Sequence, residues 1–119
     1  MRAVRQGGTD TDLRIDRMHA EFCKAAANPV RLRILTVLAQ TPRSVGSLAK
    51  ALGLSMPTVS KNLKVLREQD VVSGKRHGNV ILYRIEDREF LRAVALIRKS
   101  LLHRLRTKGK LLTSSGTHG

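Results

Sequence analysis

The stretch SVGSLAKALGLSMPTVSKNLKVLR, residues 44–67, decides how this chain folds. Ser44 caps a short helix carrying Val45, Leu48, Ala49 and Leu52, and Gly53 ends it as a C-cap glycine. Only Leu54 separates that glycine from Ser55, which caps a second helix with Pro57 in its first turn. Val59, Leu63 and Leu66 then fall on one face of that helix. Two helices joined by a tight glycine-containing turn, the second opening S-x-P-T, have the layout of a helix-turn-helix. Asp70 can adopt the left-handed backbone that closes the second helix.

Working outward, Asn28-Pro29 announces an earlier helix, since Asn accepts from free N–H groups and Pro suits the first helical position. It runs from Val30 to Ala39 with Leu32, Ile34, Leu35, Val37 and Leu38 on many sides, which predicts a central, buried helix stopped by Thr41-Pro42. Before it, Ile15, Met18, Phe22 and Ala25/Ala26 recur at helical spacing behind a cap at Asp10 or Asp12. After residue 70, Val71–Arg76 and Val80–Ile85 are two β-prone runs around His77-Gly78-Asn79, a hairpin turn with positive φ at Gly78 or Asn79. Such a ribbon needs helices to lean on. A last helix from about Asp87 aligns Phe90, Val94, Ile97, Leu101 and Leu105, widened by Leu91, Ala95 and Leu102. The expected fold is mainly α with a small β-hairpin, in the order α-α-α-α-β-β-α. Residues 1–10 read as a loose N-terminal arm, 11–106 as one ordered domain, and 107–119 as a frayed basic tail.

Composition bounds the function. The chain has 119 residues, 23 Lys+Arg against 9 Asp+Glu, and a formal net charge of +14. A surplus this large points to a polyanion, nucleic acid before membrane. Aromatics are 3% of the residues, too few to stack successive bases of a single strand. No apolar run approaches the ~20 residues of a membrane span, and no signal-peptide core opens the chain. One cysteine, Cys23, excludes an internal disulfide framework and any C-x-x-C motif. The expectation is a soluble, cytoplasmic polyanion binder without a cofactor. An enzyme is not expected: no nucleophile–base motif appears, and no phosphate-cradling Gly-rich loop precedes a Lys and Ser/Thr.

The charge is concentrated. No acid occurs between Glu21 and Glu68, whereas Lys24, Arg31, Arg33, Arg43, Lys50, Lys61, Lys64 and Arg67 all do. With Val59, Leu63 and Leu66 facing inward, the opposite side of the second helix presents Met56, Ser60, Lys61 and Lys64, with Thr58 near its N-terminal edge. Hydroxyl, methyl and amine groups at the start of such a helix suit major-groove base edges and flanking phosphates. The N–H groups at Ser55 to Thr58 offer a phosphate site through the helix dipole. Any one of these lysines could simply solvate a surface; the acid-free window and the turn spacing together favour double-stranded DNA. The hairpin tip adds Arg76, His77 and Asn79 as candidates for the groove edge or backbone, beside Lys75.

The residues resemble a known family. Phe22-Cys23-Lys24-Ala25 leading into Asn28-Pro29-Val30-Arg31-Leu32-Arg33-Ile34-Leu35, then Leu48 to Arg67, then Leu82-Tyr83-Arg84-Ile85, is similar to the ArsR/SmtB winged helix-turn-helix repressors over residues 12–106. The resemblance implies a homodimer pairing through its first and last helices and binding an inverted-repeat operator until an inducer releases it. Wide apolar stripes on both terminal helices agree with such pairing.

The family's sensing motifs are mostly missing. Where arsenic and cadmium sensors carry Cys-Val-Cys, this chain has Ser44-Val45-Gly46, and soft metals want thiolates. At the positions of the zinc-type site stand Asp87, Glu89, Ser100 and His103; Asp87, Glu89 and His103 are weak metal candidates, and Ser100 is a poor ligand. Asp87 and Glu89 also suit the start of a helix for dipole reasons alone. The expectation is that no metal is bound. Cys23 is a redox candidate, but a lone thiol beside Phe22 is more often a small buried hydrophobe. His19 and His118 have no ligand-like neighbour, and the inducer is not written in the sequence. The alternative to a sequence-specific regulator is a non-specific architectural DNA-binding protein, because +14 alone supports strong salt-dependent binding.

Overall fold

The computed structural model describes residues 9–109 and holds five helices and one hairpin: α1 (Asp10–Ala26), α2 (Pro29–Leu38), α3 (Val45–Leu52), α4 (Met56–Glu68), β1 (Val72–His77), β2 (Val80–Ile85) and α5 (Arg88–Thr107). The order is the expected one. Of the arm at 1–10 and the tail at 107–119, all but residues 9, 10 and 107–109 lie outside the described residues.

Local chemistry explains each start. Thr9, not Asp10 or Asp12, caps α1: its hydroxyl accepts from Asp12 N at 3.1 Å, and Asp12 Oδ2 accepts from Thr9 N at 3.1 Å. This reciprocal T-x-x-D box satisfies two orphan donors, which a lone aspartate cap could not do. Asn28 Oδ1 accepts from Val30 N at 2.9 Å and Arg31 N at 3.2 Å ahead of Pro29, as its position predicts. Ser44 accepts from Ser47 N at 3.1 Å, and Gly53 closes α3 with φ 68°. Asp70 takes φ 59° behind α4.

The chain divides into two units, Met1–Glu86 and Asp87–Gly119. The core belongs to the first: Ile34, Leu35 and Leu38 of α2, Leu48 and Ala49 of α3, Val59, Leu63 and Leu66 of α4, then Val71, Val72, Tyr83 and Ile85. Burial of α2 is narrower than its composition suggests, for Leu32 stays exposed. In the hairpin Val72 pairs with Ile85, Gly74 with Tyr83 and His77 with Val80. The two-residue loop has positive φ at Gly78 (63°) and not at Asn79, the pattern of a type II′ turn. One pairing escaped the sequence reading. Arg43 forms an isolated antiparallel bridge with Tyr83, N to O at 3.0 Å and O from N at 2.7 Å, which fastens the segment before α3 to the free edge of β2.

Neither α1 nor α5 contains a buried residue. Leu13, Ile15 and Met18 on α1, and Leu96, Ile97, Leu101 and Leu105 on α5, are all exposed. Cys23 is exposed too, which corrects the expectation of a buried thiol: α1 has no fully covered face for it to enter.

Candidate nucleic-acid interface

The three residues Gly53, Leu54 and Ser55 turn the chain from α3 into α4, a connection of helix-turn-helix length. Leu54 N donates to Ala49 O at 3.0 Å, and the left-handed Gly53 redirects the chain where a Cβ would be strained. On α4 the inner stripe is Val59, Asn62, Leu63 and Leu66. Met56, Ser60, Lys61 and Lys64 are exposed on the remainder of the helix, joined by Arg67. Thr58 is half-buried and its hydroxyl lies 2.8 Å from Ser55 Oγ, so both hydroxyls are engaged in closing the first turn. Ser55 Oγ also accepts from Thr58 N at 3.3 Å as the N-cap. Ser55 therefore orders the donors at the head of α4, and Met56, with 54% of its surface exposed, is the large apolar group offered there.

The wing residues Lys75, Arg76, His77 and Asn79 are exposed, in register along the hairpin and its turn. Arg84, lower on β2, is held near Glu86 at 3.8 Å in an exposed ion pair of little energetic consequence. The acid-free window stays free of acids in space as far as ion pairing goes: among the described residues, no other salt bridge forms.

Two further residues take their roles from contacts made in three dimensions. Arg43, counted in the sequence as charge alone, donates Nη1 to Ser47 Oγ at 3.0 Å, while its buried Nε has no partner. Asn62 is the buried polar residue of α4, 8% exposed. The sequence did contain its signal, because it occupies the i+3 position of the Val59–Leu63–Leu66 stripe, where a polar side chain must find internal partners.

The weak metal candidates are separated by function. Asp87 Oδ1 accepts from Phe90 N at 2.9 Å as the cap of α5, and Glu89 sits in that helix's first turn. His103 is exposed further along α5. Among the described residues no group of three or more His, Cys, Asp or Glu side chains could hold a metal ion. No helix of the described residues is long and apolar enough to cross a membrane.

Comparison with known proteins agrees with this geometry. A family model described as a helix-turn-helix domain matches residues 26–74. The chain is 40% identical over 86 residues to the uncharacterized HTH-type transcriptional regulator Rv0081 of Mycobacterium tuberculosis, covering 71% of this chain and 75% of that one. It is 42% identical over 67 residues to the HTH-type transcriptional repressor SmtB of the same organism, covering 56% and 50%. Among solved structures, the homodimeric winged helix-turn-helix DNA-binding domain Mb0332 of Mycobacterium bovis, described as a possible ArsR-family regulator, superposes with TM-score 0.77. It is 33% identical, over 87% of this chain and 95% of that one. With the turn-linked pair α3–α4, the two-stranded wing and these relatives in one frame, the chain belongs to the ArsR/SmtB family of winged helix-turn-helix transcriptional repressors.

Proposed function

We propose that two copies of this chain bind an inverted-repeat operator, each laying α4 in the major groove with its wing on the adjoining backbone or minor groove. The observation that carries this reading is the exposed row Met56, Ser60, Lys61 and Lys64 beside the capped, donor-rich start of α4. In this reading Met56, Thr58 and Ser60 meet base edges, and Lys61 and Lys64 meet bases or phosphates. The head of α4, ordered by Ser55, takes a phosphate. Arg76 reaches the wing-side backbone, with His77 and Asn79 at the tip. The exposed apolar faces of α1 and α5 supply the surface for pairing, and the M. bovis neighbour is itself a homodimer. Two-fold symmetry would set the two recognition helices about one DNA turn apart, ~34 Å.

Two substitutions separate the roles. Ser60→Ala is expected to relax base preference, lowering operator affinity by about tenfold while leaving random-DNA affinity unchanged. Equal loss on both DNAs would refute its assignment as a base contact. Lys64→Ala is expected to weaken every sequence alike and to reduce the slope of log K against log salt by about 0.9, one phosphate's worth. A salt slope identical to the wild type would refute the phosphate contact. Both are read by anisotropy titrations at several salt concentrations.

A further inference from the structure

Arg31 stands where local rules disfavour it. It is the third residue of α2, at the positive end of that helix's dipole, and the first turn holds no acid. Its guanidinium is satisfied elsewhere. Nε donates to the carbonyl of Ala25 in the last turn of α1, the negative end of that helix. Nη1 donates to Asn62 Oδ1 at 3.0 Å. The other end of that amide, Nδ2, donates to Thr58 O at 2.8 Å, one turn back towards the head of α4. Thr58 and Ser55 then share the hydroxyl contact described above. A continuous line of hydrogen bonds thus runs from the end of α1, through α2, into the first turn of α4.

The chemistry of this line favours geometry over stability. An aliphatic residue at 62 would extend the Val59–Leu63–Leu66 stripe without any polar atom to satisfy. The amide instead fixes orientation: it points inward, and its helix neighbours Ser60, Lys61 and Lys64 point outward. A planar fork holding two acceptors at once sets an angle that a point charge cannot.

We propose that Arg31 and Asn62 are positioning residues for DNA recognition, fixing the rotation of α4 against α1 so that its outer row meets the bases in register. This rests on the reading of α4 as the recognition helix. The test has one arm without DNA and one with it. Cys23, the only cysteine and exposed in the single chain near the end of α1, takes a nitroxide label on isotope-enriched chains diluted into unlabelled ones, so that only broadening within one chain is read and an unchanged dimer mass shows that pairing tolerates the label. Paramagnetic broadening of the α4 amides then reports the α1–α4 arrangement in solution. In Arg31→Lys and Asn62→Leu the broadening pattern is expected to change, although both variants melt cooperatively. On DNA, each variant is expected to lose about tenfold or more in the ratio of operator to random affinity, roughly the worth of a base contact. The salt slope should stay unchanged, and the double variant should be no worse than either single one, as for two ends of one device.

An unchanged broadening pattern overturns the proposal, as does a changed pattern with operator preference intact. A salt slope smaller by about 0.9 in Arg31→Gln, which removes the charge that a lysine would keep, would make Arg31 a phosphate ligand instead, and would likewise overturn it. If the wild type shows no operator preference while the broadening changes, the positioning stands and the recognition reading fails. Asn62→Asp, which keeps the acceptor for Arg31 and lacks the donor to Thr58 O, carries the same test should Asn62→Leu not fold.

Discussion

Leu66→Ala is expected to destabilise the protein by about 3 kcal/mol, within the range for deleting a fully enclosed leucine side chain. Leu66 has no exposed surface and lies at the end of the α4 stripe, within the core that α2, α3 and the hairpin complete. Its removal leaves a cavity that the surrounding helices can close only in part. For a domain of this size the loss corresponds to a fall in melting temperature of about 12–24 °C, read by circular dichroism. DNA binding at 37 °C should fall with the folded fraction. Val80→Ala, at 49% exposure on the wing, serves as the control and should change stability by no more than about 0.5 kcal/mol. Equal melting temperatures for Leu66→Ala and the wild type would place the core elsewhere.

Gly74→Val is the second large effect. A Cβ at Gly74 would lie 2.9 Å from Ile81 Cγ2 and 2.9 Å from Tyr83 Cε1, closer than carbon atoms approach. Gly74 pairs directly with Tyr83, so the ring occupies the space that a side chain would need. Tyr83 cannot yield freely, because it is 8% exposed and its backbone holds Arg43 through two hydrogen bonds. Crowding there therefore strains the hairpin and the anchor before α3 together, at an expected cost of about 1–3 kcal/mol. The chain has one tyrosine and no tryptophan, so intrinsic tyrosine fluorescence reports this contact alone. A shift in its intensity together with a lower melting temperature is the expected result; an unchanged spectrum and stability would show that the ring is not held against Gly74.

The helix-turn-helix was legible because it rests on local chemistry. Ser44, Gly53, Ser55 and Asp70 each mark a helix end through their own side chain or backbone, and the Val59–Leu63–Leu66 stripe needs only helical spacing. The hairpin was legible for the same reason, down to a positive φ in its turn, although the choice of Gly78 over Asn79 came only with the structure. What escaped depends on contacts far apart in sequence. A bridge of one residue, Arg43 with Tyr83, has no period to detect. The thiol of Cys23 was expected inside because cysteines usually are, but spacing alone does not say which face of α1 is covered. Asn62 sat in plain view on the inner stripe, yet its partner Arg31 lies 31 residues earlier and on another helix. Of the candidate site, the exposed row on α4 could be derived from its opposite, the core stripe. The engagement of Thr58 and Ser55 with each other could not, since it needs the geometry of the turn.

Fluorescence anisotropy on two DNAs decides whether α4 reads sequence or merely neutralises phosphates. The protein would be titrated against labelled DNA from upstream of its own coding sequence and against a scrambled duplex of equal length, at ~150 mM salt. A preference of about 10³ or more for the upstream DNA is predicted, as for a specific regulator. Equal affinity for both, confirmed by selection from random DNA that enriches no sequence, would contradict it and leave a protein that coats DNA through charge alone.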